Sequence, residues 1–318
     1  MKKVFLILFI WQSVSIAAPF QPTAQTPSLV AKAQQAYLDG DFSVAVNTLK
    51  QAYMASVNDS VATKNIMQLY TKIRSQSPAT RFDVGWTLPA EIKSMRVSVT
   101  RRLENGLVTH QLIVSGALTA IDDMDNFQVV RYPDTIVLDK SKKVGTFQVS
   151  DDDGTPGYDF RSRGTAFDVS AGLYLMTFST KGGAHVDGWF MLDENANSTA
   201  QPQITNLDDN PVFNTGTPIM KWNEFFSPQF KKDIEHRALS IWIGKANEDK
   251  GAWSFWSENM KTTSATIGSS LQIENGWDHG PLENGEYYAL LNYMEAQSFG
   301  PIRIVRRSGT VKYFTIKR

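Results

Sequence analysis

Met95-Arg96-Val97-Ser98-Val99-Thr100 is the stretch on which the fold turns. Met95, Val97 and Val99 alternate with Arg96, Ser98 and Thr100, the two-residue period of a half-buried strand. Asn105-Gly106 follows, a strong signal for a tight hairpin. Val108, Gln111, Leu112, Ile113 and Val114 then make the returning strand. Downstream, apolar segments at 127–130, 135–138, 145–149, 172–178 and 188–192 complete an all-β region of 79–194. Residues 194–202 are small and polar, the chemistry of a linker. A second β region, 203–318, has its expected strands at 238–243, 252–256, 270–273, 286–293, 302–305 and 311–316.

Upstream of Pro78 the period is helical. Ser28 is a helix N-cap candidate, and Leu29, Ala33, Ala36 and Tyr37 recur at helical spacing. Gly40 ends that helix. Phe42, Ala45, Leu49, Ala52 and Tyr53 form the stripe of a second, and Ile66, Leu69, Tyr70 and Ile73 that of a third. Leu29, Ala33, Gly40, Asp41, Phe42, Ala45, Leu49 and Ala52 fall where a tetratricopeptide repeat places its large, small and turn residues, so 28–78 resembles one such repeat with a following helix. Val57 and Asn58 stand where that family usually has proline. A lone repeat implies a cap or docking element, because a peptide-binding groove normally needs about three.

The two β regions share a short pattern, Ala171-Gly172-Leu173-Tyr174 and Asn284-Gly285-Glu286-Tyr287. Glycine turns the chain and tyrosine enters the strand. On these residues the regions resemble bacterial immunoglobulin-like and fibronectin-like domains, and they are similar to each other in the manner of a degenerate tandem repeat. The expected fold class is therefore mainly β with a small N-terminal α segment: a helical hairpin followed by tandem antiparallel β-sandwiches. This layout also resembles that of certain bacterial periplasmic proteins.

Lys2 and Lys3 precede the apolar run 4–11, and Ser15 and Ala17 set up a cleavage site, so 1–17 reads as a secretory signal peptide. The run is short of the roughly 20 residues that a membrane span needs. Residues 18–27, with three prolines, are expected to form a flexible leader. A periplasmic or secreted location follows, with no integral membrane segment after cleavage. Without Lys2 and Lys3 the chain carries 30 basic and 32 acidic residues, and this near-neutral balance gives no electrostatic case for nucleic acid. No cysteine is present, which excludes disulfides, thiol nucleophiles and thiolate metal sites.

No motif fixes a reaction. His185 with Asp187 and Asp278 with His279 are the histidine–acid pairs, and neither is accompanied by a recognisable nucleophile. Oxygen-rich loops occur at 122–126, 151–154 and 208–210. Asp151, Asp153 and Asp159 are the best calcium candidates, although the spacing of a calcium-binding loop is missing. Trp253 and Phe255 should share one face of a strand while Trp256 takes the other. With Trp277, Asp278 and His279 in a Gly-rich loop, these tryptophans are either core or a platform for sugar rings. The reading is an exported, non-enzymatic binding or assembly protein of the bacterial cell envelope, with no obligatory cofactor. Its expected partner is an envelope protein or a surface glycan. The alternative is a carbohydrate- or peptidoglycan-binding module that uses Trp253, Trp256 and Trp277.

Overall fold

The computed structural model describes residues 25–76, 83–120, 124–152, 155–167, 169–193, 202–223, 236–246, 248, 251–257, 262–267 and 280–318. The signal peptide and most of the leader lie outside this set, as do the expected strand 270–273 and the loop with Trp277, Asp278 and His279.

Three helices come first: α1 (Gln25–Leu38), α2 (Phe42–Ala55) and α3 (Ser60–Gln76). The first begins three residues before Ser28. Pro27 is tolerated there because a first-turn residue has no intrahelical N–H bond to lose. Gly40 takes a left-handed φ of 80°, and the Asp41 carboxylate then caps α2 by accepting from the Val44 N–H at 3.0 Å. Asp59 likewise accepts from Val61 and Ala62 at the start of α3.

The first β region contributes β1 (Arg96–Glu104), β2 (Leu107–Ala117), β3 (Met124–Arg131), β4 (Thr135–Asp139), β5 (Thr146–Asp152), β6 (Thr155–Arg161), β7 (Gly172–Thr180) and β8 (His185–Leu192). The second contributes β9 (Val212–Phe213), β10 (Ile219–Lys221), β11 (His236–Lys245), β12 (Gly251–Ser257), β13 (Ser264–Thr266), β14 (Gly285–Phe299) and β15 (Ile302–Ile316).

Strands β1-β2-β6-β5 pair antiparallel and pack against the antiparallel sheet β4-β3-β7-β8. Val97, Leu112 and Phe160 from one sheet meet Phe127, Met176 and Phe190 from the other in a core that also takes in the helices. In the second region β12-β11-β14-β15 pair antiparallel over the short ribbon β10-β13, burying Leu239, Ile241, Trp253, Leu291 and Phe314 with Met220 and Ala265. Strands β4-β3-β7-β8 and β12-β11-β14-β15 thus occupy equivalent places. Two antiparallel sheets in this order define the immunoglobulin-like class of β-sandwich.

The tyrosine pattern marks the same place in both. Tyr174 and Tyr287 each donate a hydrogen bond to the carbonyl four residues back, Ser170 at 2.6 Å and Glu283 at 3.1 Å. Each ring stacks on its cross-strand partner, Phe190 at 5.0 Å and Phe314 at 5.6 Å. Burial pushes both phenols up.

The two regions do not stack as separate beads. Arg303 to Val311 of β15 lie in parallel register beside Arg96 to Glu104 of β1, so among the described residues one nine-stranded sheet runs through both sandwiches. The 15-residue strands β14 and β15 make this possible by overshooting their own core. Phe299, Ile302 and Ile304 at the hairpin tip are buried in the first core, where Trp189 meets Phe299 edge-on at 5.3 Å. The helices close over the same place. Tyr70 donates to the Met191 carbonyl at 2.9 Å, and Arg74 donates to the Ser298 carbonyl and to Gln297. Asp193 pairs with Arg306 beneath them.

Candidate binding face

A long sheet has two faces, and pleating sorts side chains between them. Val97 and Val99 on β1, Leu112 and Val114 on β2, Ile304 on β15 and Ile241 on β11 point into the cores. The residues between them therefore share the opposite, outer face: Ser98 and Thr100, Gln111 and Ile113, Val305 to Tyr313 in alternation, Tyr288 to Met294 in alternation, Ser240 and Trp242. Val305, Val311, Leu290, Met294, Trp242 and Trp256 belong to neither core cluster.

The tryptophans of β11 and β12 divide between the faces. Trp253 is fully buried at 0 % exposure and lies nearly parallel to Phe255 at 6.3 Å, so it is a core residue with no ring face left for a ligand. Trp256 points the other way and is 40 % exposed. Trp242, half-buried, is its diagonal neighbour on that outer face, since Trp256 pairs with Ser240 and Trp242 with Ser254. Each indole thus stands opposite a serine in the strand register. Tyr288 extends the aromatic set and lies flat over Gly244, where a Cβ would come within 2.5 Å of the ring. Tyr313, paired with Tyr288, donates to the Glu104 carboxylate at 2.5 Å. That bond, with burial, pushes its phenol up to about 12.

Trp277, Asp278 and His279 lie outside the described residues, as does Asp153. Asp151 is the penultimate residue of β5, with its side chain outside the described set. Asp159 is on β6, held by the Arg161 guanidinium at 2.5 Å, which takes the oxygen that a calcium ion would need. Asp208 is likewise engaged by Lys312 at 2.7 Å. Among the described residues no group of three His, Asp or Glu side chains is placed to hold a metal. His185 and Asp187 do share a face, at 3.4 Å, but both are exposed on β8 with Thr177 as a further partner.

No protein-family model matches the chain, and no curated protein sequence does. Among solved structures, it is similar to the tandem Ig repeats of Dlar, with TM-score 0.32 and 12 % identity over 72 % of this chain and 100 % of that one. The N-terminal Ig1-2 module of the Drosophila receptor protein tyrosine phosphatase DLAR gives 0.32 and 12 %, covering 71 % and 100 %. The FN1-FN3 domains of chicken CNTN1 give 0.21 and 7 %, covering 70 % and 64 %.

Proposed function

We propose that this chain is an exported, non-enzymatic binding or assembly protein of the bacterial cell envelope, built from a repeat-like helical cap (28–78) and two sandwich units (79–194 and 203–318). The sequence pattern of 1–17 supports export. No described helix is long and apolar enough to cross a membrane. One observation carries the binding reading: Trp256 and Trp242 sit diagonally on the outer face of a sheet that both units share. A sheet stiffened across two units holds such anchors in fixed register, which reduces the entropy lost on binding.

A second reading follows from the same indoles, namely a carbohydrate or peptidoglycan ligand stacked on Trp256. Tryptophan fluorescence titrated with polysaccharides and peptidoglycan fragments separates the two. A saturable change that is lost in Trp256→Ala establishes the sugar. A silent panel, together with photo-crosslinking of an envelope protein from position 256, establishes the protein partner. Silence in both assays sinks the binding role of this face.

A further inference from the structure

The other end of the outer face carries arginine. Arg96 and Arg303 are direct neighbours on β1 and β15, and Arg307 stands beside Thr100 four residues further along. Arg102 occupies the next position of that face on β1, and Arg161 borders it from β6. Arg96, Arg102, Arg161 and Arg303 are exposed, while Arg307 is half-buried at their centre. Among the described residues two acids share this part of the face, Asp159 and Glu104, engaged by Arg161 and Tyr313 respectively, and no carboxylate is in ion-pair contact with Arg96, Arg102, Arg303 or Arg307. Arg96 donates to the Ser115 hydroxyl at 3.1 Å, a neutral partner.

Beneath the guanidiniums lie polar atoms that the fold leaves unsatisfied. Ser98 Oγ, Thr100 Oγ1 and Arg307 Nε are all buried without a hydrogen-bond partner among the described residues. Ser98 is 1 % exposed and Thr100 8 %. Burial, with Arg96, Arg161 and Arg102 close by and only Asp159 opposing, holds the Arg307 guanidinium well below its ordinary range, at about 10. Burial and Arg303 likewise lower Arg96 against the opposing pull of Asp159. Unpaired buried donors and crowded like charges both cost free energy. A site that keeps them is poised for an anion, whose oxygens accept from hydroxyl and guanidinium together.

Arg102 and Trp256 are joined by a single row across the sheet: Arg102, Gly309, Asn292, Ser240 and Trp256 are successive register partners on β1, β15, β14, β11 and β12. Four strand spacings of about 4.8 Å make this row about 19 Å long, the length of a short oligosaccharide. Its middle is polar, and the Asn292 amide oxygen leans over Gly309, where a Cβ would come within 2.4 Å of it.

We infer that this face binds an acidic polysaccharide, with sulfate or carboxylate groups on Arg96, Arg102, Arg303 and Arg307 over Ser98 and Thr100, and sugar rings on Trp256. The inference rests on the glycan reading of the same face and adds the charge of the ligand. The indoles alone would suit a neutral sugar, and the arginines alone any polyanion. The row that Arg102 shares with Trp256 selects a ligand that has both apolar ring faces and anionic groups.

The test is calorimetric titration of the purified chain, and of Arg303→Gln, Arg307→Gln, Arg303→Lys and Trp256→Ala, with heparin, polygalacturonate, neutral dextran and single-stranded DNA. Binding of heparin or polygalacturonate at least tenfold tighter than dextran is expected. It should weaken at least tenfold in Arg303→Gln, Arg307→Gln and Trp256→Ala, and less in Arg303→Lys, which keeps the charge. Thermal midpoints of the arginine variants should equal or exceed that of the parent, which separates loss of a site from loss of fold. Dextran bound as tightly as heparin, with Trp256→Ala alone defective, overturns the inference and leaves the glycan reading standing. DNA bound tighter than either acidic glycan overturns it in favour of a nucleic-acid ligand. No binding to anything in the panel overturns the inference and the glycan reading together.

Discussion

Asp139 closes the connection from β4 to β5, and its replacement offers a quantitative check on how these sandwiches are held. The residue is 1 % exposed, yet its carboxylate sits well below the usual range, at about 2 against 3.8. Burial pushes it upward and is outweighed by hydrogen bonds. The Ser141 hydroxyl donates to Oδ1 at 2.7 Å, the Lys142 N–H to Oδ1 at 2.9 Å, and the Gln128 amide to Oδ2 at 2.7 Å from the facing strand. Lowering a carboxyl from 3.8 to about 2, at about 1.36 kcal/mol per pH unit, corresponds to on the order of 2 kcal/mol of stability. A depressed acid contributes above its unfolded value. The contribution is therefore full above about pH 5, about half gone near pH 3, and lost as the pH falls through about 2. Asp139→Asn keeps an oxygen for the turn but removes the charge. Urea unfolding of parent and variant, followed by tryptophan fluorescence at pH 7, 4 and 2.5, should give a gap of about 2 kcal/mol at pH 7 that closes toward pH 2. At pH 7 the thermal midpoint should fall by roughly 4 °C. A gap of the same size at pH 7 and pH 2.5 would refute the reasoning, because the cost would then come from amide packing and not from the ionised carboxyl.

The two tryptophans of β12 should separate cleanly. Trp253→Ala removes a fully buried ring and is expected to cost about 3–5 kcal/mol, whereas Trp256→Ala should stay within about 1 kcal/mol of the parent in the same urea titration. Phe299→Ala, at the tip of the β14–β15 hairpin, should cost about 3 kcal/mol or more, and it should lower the first core's stability although it lies in the C-terminal region. Hydrogen exchange at β1 and β8 reads that coupling, and unchanged protection there would argue against the shared sheet. Arg307→Gln should raise the thermal midpoint by roughly 2 °C or more by relieving buried positive charge, and differential scanning calorimetry measures it. Gly244→Ala should disturb Tyr288 because a Cβ there meets its ring, visible as a changed tyrosine environment in near-ultraviolet circular dichroism.

Local patterns carried the elements well. The alternation of Met95 to Thr100 and the Asn105-Gly106 turn are β1, β2 and their connection, with Asn105 and Gly106 both at positive φ. The split of Trp253 and Phe255 from Trp256 followed from the strand period alone, and the glycine–tyrosine pattern found its two matching positions. Strand β6 was not among the expected strands: Pro156 and Gly157 are uncommon within strands, and here they stand in its first three residues, before most of its ladder with β2. The run Arg306-Arg307-Ser308-Gly309 looked like a break between two strands. It is the middle of one 15-residue strand, where charged side chains have ion-pair partners on one face and a shared arginine cluster on the other.

The class of fold, the helical start, the absence of thiol chemistry and the alternation within each strand can all be read along the chain. These depend on interactions a few residues apart, which a single chain displays directly. Tertiary structure alone decided that β15 passes beyond its own sandwich to lie parallel with β1. That pairing joins residues some 200 positions apart in the chain, and no local period encodes it. The same pairing places Arg303 beside Arg96 and Arg307 beside Thr100, and it puts Arg102 in one row with Trp256. A face assembled from strands so distant in the chain exists only once its sheet does.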